Sequence, residues 1–145
     1  MAQARAAAGF TLIEVVVVLA IVAITTMIAA SSYRNHLRRS YRIEAVHALL
    51  AAAAEQEKFH LAHGQYGDRL DAAAGSDPPG LPVASRTPGG HYSLAVMLAT
   101  AAAYRVVATA ENDGADPSCR TLSIDESGRR AATDAQGADS ARRCW

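Results

Sequence analysis

From Phe10 to Ala30 the chain runs for 21 residues with a single charge, Glu14. As a helix this stretch reaches about 32 Å, enough to cross a hydrocarbon core of roughly 30 Å. No other feature restricts the fold as strongly, because such a segment must be buried in lipid or among other apolar helices. An ionisable group inside it is costly and points to function. Of the 145 residues, those after the span are enough for one small domain. The expected division is therefore 1–9 as a leader, 10–30 as a membrane or filament-core helix, and 31–145 as a soluble domain that includes the rest of the helix.

Charge and cysteine usage narrow the classes. Fourteen basic and fourteen acidic residues balance, so no long-range field favours nucleic acid or an anionic surface. Cys119 and Cys144 are the only cysteines. An even count far from the span fits one intrachain disulfide in an oxidising compartment, and the loop it closes would stabilise a small domain by roughly 3–4 kcal/mol. Two unrelated thiols are the other possibility, and the Cys/His spacing does not suit zinc. There is no G-x-S-x-G, P-loop or H-E-x-x-H pattern, so the expectation is a non-enzyme without cofactor or metal. His60 and His63 lie three apart near the helix end with Glu57 one turn back, but a solvated helix terminus accounts for them, since a helix C-terminus favours cationic side chains for electrostatic reasons alone.

Residues 1–9, MAQARAAAG, carry only Arg5 and look like the n-region of an export signal. An ordinary signal peptide cut near Ser31 is one reading, but the apolar run is longer than usual and contains an acid. The other rests on Gly9, Phe10, Thr11, Leu12, Ile13 and Glu14 followed by about sixteen apolar residues. This pattern resembles the processing signature of type IV pilins and pseudopilins. The resemblance implies that a prepilin peptidase cuts between Gly9 and Phe10 and that the new Phe10 amine is methylated. It also gives Glu14 a role in assembly register: a carboxylate in apolar surroundings either protonates or finds a cation, and a neighbouring subunit's Phe10 amine supplies one. Arg34, Arg38, Arg39 and Arg42 follow the span while only Arg5 precedes it, which by the positive-inside rule would leave the C-terminal domain in the cytoplasm. The processing signature and the cysteines favour the opposite orientation.

Beyond the span, Ile43, Val46, Leu49, Leu50 and Ala53 fall on one helical face, with Glu44 and Glu55 on the far side. The helix is expected to stop at Gly64. Residues 64–90 hold four of the five prolines and should form a long surface connection. Three alternating runs then predict strands: Tyr92, Leu94, Val96 and Leu98; Tyr104, Val106 and Ala108 after a turn near Thr100 to Ala103; and Leu122 with Ile124. From Glu126 to Trp145 a polar loop returns Cys144 to Cys119. The pairs Arg129, Arg130 and Arg142, Arg143 could contact DNA, but Arg pairs without aromatic neighbours are usually solvated surface, so nucleic acid is an unlikely partner.

The Ala-rich helix ending in Gln56, Glu57, Lys58, Phe59, with Gly64 and Tyr66, then Cys119, Thr121, Leu122, Gly128 and the final Cys144, Trp145, resembles PilE-like minor pilins. The resemblance implies an α+β pilin fold: a long N-terminal helix packed on a small antiparallel sheet of three to four strands, with a C-terminal disulfide-bounded loop. Ser31 stands where many type IV pilins have proline, which removes the basis for a proline-associated kink. The implied role is a pilus subunit, stored in the inner membrane of a Gram-negative bacterium with its C-terminal domain periplasmic, then assembled into or at the tip of the filament. It would support pilus biogenesis, adhesion and twitching motility. Implied partners are prepilin peptidase, major and other minor pilins, the inner-membrane assembly machinery, a possible tip adhesin, and lipid before assembly. A type II secretion pseudopilin and a DNA-uptake pilin remain alternatives. The intact mass of the mature chain tests the N-terminal reading: loss of residues 1–9 plus one methyl group is expected, and retention of Met1 or a cut near Ser31 would refute it.

Overall fold

The computed structural model describes residues 9–73, 75–111 and 116–145, so leader residues 1–8 lie outside the described residues. The element order is α1 (Leu12–His63), β1 (Tyr92–Ala99), β2 (Tyr104–Ala110), β3 (Thr121–Asp125), β4 (Arg130–Thr133) and α2 (Ala141–Cys144). By internal contacts the chain divides between Leu37 and Arg38.

In the N-terminal unit, α1 begins at a cap the sequence encodes. Thr11 precedes the first helical residue, and its Oγ1 accepts a hydrogen bond from the Glu14 N–H at 3.3 Å. Thr11-x-x-Glu14 is the capping-box spacing, and an acid in the first turn also suits the positive end of the helix dipole. Leu12, Ile13, Val15 to Leu19, Ile21, Val22, Ile24, Met27 and Ile28 are all exposed. A helix apolar on every side is stable only with lipid or other helices around it.

In the C-terminal unit, α1 buries Ala45, Leu49, Ala52, Gln56 and Phe59, a stripe at alternating spacings of four and three. This differs from the expected face. Leu49 is shared, but Ile43 is 51% exposed and Leu50 40%, while Val46 and Ala53 sit at the core's margin. The buried stripe is therefore rotated toward Ala45, Ala52 and a polar residue, Gln56, that occupies the core. Gln56 is fully buried; its Nε2 donates to the Gly67 carbonyl at 2.7 Å, and its Oε1 accepts from the Gly67 N–H at 2.9 Å. Its amide thus replaces the backbone partner that Gly67 lacks. Glu44 does not simply face solvent either, since Oε2 accepts from the Gly89 N–H at 3.1 Å. The helix ends as expected: Gly64 adopts φ 71° and its N–H returns to the His60 carbonyl at 2.8 Å.

The four strands form an antiparallel meander in the order β1-β2-β3-β4. Tyr92, Leu94, Tyr104, Val106, Ala108, Ala110, Leu122, Ile124 and Ala132 face the core, as period-two alternation requires. The β1 alternation stops early. A register shift between Val96 and Leu98 leaves Leu98 44% exposed, because a bulge moves every later side chain to the other face. Thr100 closes the β1–β2 turn, its Oγ1 accepting from the N–H groups of Ala102 and Ala103.

Residues 64–91 have no named strand, yet they are more than the surface connection expected. Leu81 is fully buried and Val83 nearly so. Backbone bonds join Asp71 N–H to the Val83 carbonyl, Ala72 N–H to the Leu81 carbonyl and Leu81 N–H to the Arg69 carbonyl. Arg86 then bridges to Ser93 at the free edge of β1. Burying Leu81 stabilises the fold by roughly 1.5–3 kcal/mol, and Gly67 admits it: a Cβ there would lie 3.1 Å from the Leu81 Cγ.

Replacing Gln56 with leucine keeps the volume and removes both Gly67 partners. The expected cost is about 2–4 kcal/mol in denaturant unfolding, from two buried backbone groups left unpaired. A loss below about 0.5 kcal/mol would contradict this role for the amide.

Candidate functional site

The C-terminal segment carries the charges the fold does not use. It is not the plain loop the sequence suggested, because it contains β4 and α2. After β4, Asp134 Oδ1 accepts from the N–H groups of Gln136 and Ala138 and turns the chain back. The return strand then covers the free edge of β4: Thr133 pairs with Asp139, and Ser140 N–H donates to the Ala132 carbonyl at 3.0 Å. The Trp145 indole N–H donates to the Ala131 carbonyl at 2.9 Å. An edge whose carbonyls are occupied is closed to further strand pairing.

Two attachments hold this segment. The Cys119–Cys144 disulfide is present, with both residues buried and their Cα atoms 5.7 Å apart. The second was not legible beforehand. Arg42 Nε and Nη2 grip the Asp116 carboxylate at 2.8–3.0 Å, and Nη1 donates to the Arg143 carbonyl at 3.1 Å. The Tyr92 hydroxyl lies 3.1 Å from Asp116 Oδ2 and 2.9 Å from the Cys119 carbonyl oxygen. Asp116 is buried, so a bidentate partner and a hydroxyl are what make its charge tolerable there. Arg42 is therefore a fixed part of the folded C-terminal unit.

Arg129, Arg130, Arg142 and Arg143 are exposed, and among the described residues none of them enters an ion pair. The Arg130 guanidinium carbon lies 5.2 Å from the centre of the Trp145 ring, a cation–π arrangement worth about 0.5–1 kcal/mol at an exposed site. The nearby acids are engaged by the backbone: Asp125 Oδ1 takes the Ser127 hydroxyl and the N–H groups of Ser127 and Arg129, and Asp139 caps the Ala141 N–H. These bonds, the Ser127 hydroxyl first, hold the Asp125 carboxyl below its ordinary range. Arg130 thus packs on Trp145 at the sheet edge, Arg143 shares a cleft with Trp145, and Arg129 and Arg142 are exposed next to them in sequence.

Phe10, Glu14, Val15, Val18 and Leu19 line a depression of about 250 Å³ in the N-terminal unit. His60 stacks on Tyr66 with Nε2 3.0 Å from the Ala101 carbonyl oxygen, and His63 stacks on Phe59 while remaining exposed, so the helix end is solvated with aromatic packing beneath its histidines.

Residues 31–123 match the family described as type IV minor pilin ComP, DNA uptake sequence receptor. The chain belongs to that family. Residues 4–30 match the prokaryotic N-terminal methylation motif, so this minor pilin combines both parts, while its basic C-terminal surface lies beyond the matched region. No curated protein matches the chain. Among solved structures, the non-core minor pilin PilV of Neisseria meningitidis is 17% identical with a TM-score of 0.49, over 68% of this chain and 89% of that one. A type IV pilin from Shewanella oneidensis is 23% identical with a TM-score of 0.48, over 74% of this chain and 97% of that one.

Burial raises the Tyr92 pKa, with the Asp116 charge adding to it against the opposing Arg42, and burial raises Tyr104 to about 12. In the unfolded chain both ionise near 10. Their contribution to stability is therefore complete below pH 10 and is lost as pH rises through the folded values. Denaturant unfolding between pH 10 and 12 should show falling stability, and Tyr92→Phe should reduce that slope by about 1.4 kcal/mol per pH unit. An unchanged slope would contradict the protected hydroxyl.

Proposed function

We propose that this minor pilin is a DNA-binding subunit of a type IV pilus used for DNA uptake. The observation that carries the proposal is the Arg130–Trp145 pair among Arg129, Arg142 and Arg143. The sequence argument against nucleic acid depended on the lack of an aromatic neighbour, and the fold supplies one from the far end of the chain. Arginines engage phosphates, and an aromatic ring beside them suits a nucleic-acid surface. The family's description as a DNA uptake sequence receptor supports the same reading, and it favours a pilus subunit over a type II secretion pseudopilin.

In this reading prepilin peptidase cuts between Gly9 and Phe10 and the Phe10 amine is methylated. In the present structure that nitrogen is still an amide. The apolar half of α1 waits in the inner membrane with the 31–145 domain in the periplasm. Assembly with other pilins then brings the Phe10 amine of one subunit to Glu14 of another. A reading as a structural or adhesion-supporting minor pilin shares all of this and differs only in leaving the basic surface without a ligand.

Mature chain in detergent micelles, titrated with a fluorescein-labelled DNA duplex, tests the proposal. Affinity should fall steeply with salt, and the double variant Arg129→Ala, Arg130→Ala should flatten the slope of log K against log salt by roughly 1–2. Absent or salt-insensitive binding by the unaltered chain would refute DNA binding.

A further inference from the structure

A second basic feature adjoins the surface just described and shares Arg143 and Trp145 with it. Arg39, Arg42, Ile43 and Val46 with His47, all on α1, face Arg143, Cys144 and Trp145 across a cleft of about 360 Å³. These α1 residues fall at spacings of three and four, so one face of the helix forms a whole wall of the cleft. No acidic side chain lines it. Arg42 is internally satisfied, all three of its nitrogens being bonded to Asp116 or the Arg143 carbonyl, so it shapes the floor without offering charge. Arg39 and Arg143 are the two exposed guanidiniums left, one on each wall, and Ile43, Val46 and Cys144 supply an apolar base.

We infer that this cleft holds the sugar–phosphate backbone of the DNA strand whose neighbouring phosphates lie on the Arg129–Arg130 edge, with Arg39 as a positioning contact to phosphate. The inference rests on the DNA-binding reading and extends its footprint from the C-terminal segment onto α1. Opposed guanidiniums over an acid-free cleft suit a phosphodiester, because Arg presents a planar fork of donors to its oxygens. Trp145 connects the two areas: its ring lies under Arg130 and also lines the cleft. Contacts of this kind fix register and carry no sequence information.

The experiment uses the mature full chain in detergent and the labelled duplex, with Arg39→Ala, Arg39→Lys and two duplexes of unrelated sequence. Arg39→Ala should lower the salt slope by about 0.9 and weaken binding by roughly five- to tenfold at 0.1 M salt, equally for both duplexes. Arg39→Lys should restore the slope. If Arg39→Ala leaves affinity and slope unchanged while Arg129→Ala, Arg130→Ala lowers both, the cleft inference falls and DNA binding stands. If weakening occurs without a change in slope, or is not recovered by lysine, Arg39 does not meet a phosphate and the inference also falls. If the unaltered chain retains neither duplex, DNA binding itself fails.

Discussion

The bidentate contact between Arg42 and Asp116 governs how the C-terminal half of the chain is arranged. A carboxylate this buried would be destabilising alone, and removing one partner of such a pair typically costs about 3–5 kcal/mol. The pair is therefore better understood as a positional constraint than as a net source of stability. Arg42 joins three parts of the chain: α1, on which it lies; the 116–119 turn, through Asp116; and the C-terminal helix, through the Arg143 carbonyl. Tyr92 adds β1 through its hydroxyl. The disulfide keeps Cys144 near Cys119, but it leaves open how the intervening residues lie against α1. The Arg42 bond to the Arg143 carbonyl ties the last turn to α1, while Arg130 is placed by the pairing of β4 with β3.

The two ends of the chain meet different physical demands. The exposed apolar helix from Leu12 to Ile28 has no use for its own domain and needs lipid or other helices. The C-terminal unit is small, and its core depends on two alanines and a glutamine in α1 that let helix, sheet and the 64–91 segment close on one another. The surface left over is the polar C-terminal strip. Its acids are tied to backbone N–H groups while its arginines are not, which yields a locally basic surface on a chain of zero net charge.

Much of this was legible from local pattern. The length of the apolar run, the Gly64 stop, the β2 and β3 alternations and the cysteine pair all depend on spacing or residue type. The meander of three or four strands on a long helix followed from them. What escaped depends on contacts distant in sequence or on polar residues doing apolar work. Gln56 reads as a surface residue until Gly67 is placed beside it. Ile43 and Leu50 were assigned inward by periodicity, whereas the buried face runs through Ala45, Ala52 and Gln56, which a search for large apolar residues passes over. β4 is short and its Arg130, Ala131, Ala132, Thr133 carries little strand signal. Arg42 and Asp116 are 74 residues apart, and no spacing rule links them. Trp145 beside Arg130 is likewise a product of the closed loop. One missed feature was local: the Thr11 hydroxyl caps the helix at the Glu14 N–H, and Glu14 places an acid in the first turn.

Hydrogen exchange in an Arg42→Met variant tests most directly whether this ion pair holds the basic surface in place. The account predicts that the amides of Arg143, Cys144 and Trp145 accelerate about tenfold or more beyond any acceleration shared by β2 and β3, equivalent to roughly 1.4 kcal/mol of additional local loss. Unchanged exchange at the C-terminal amides, or an equal acceleration throughout the domain, would contradict it.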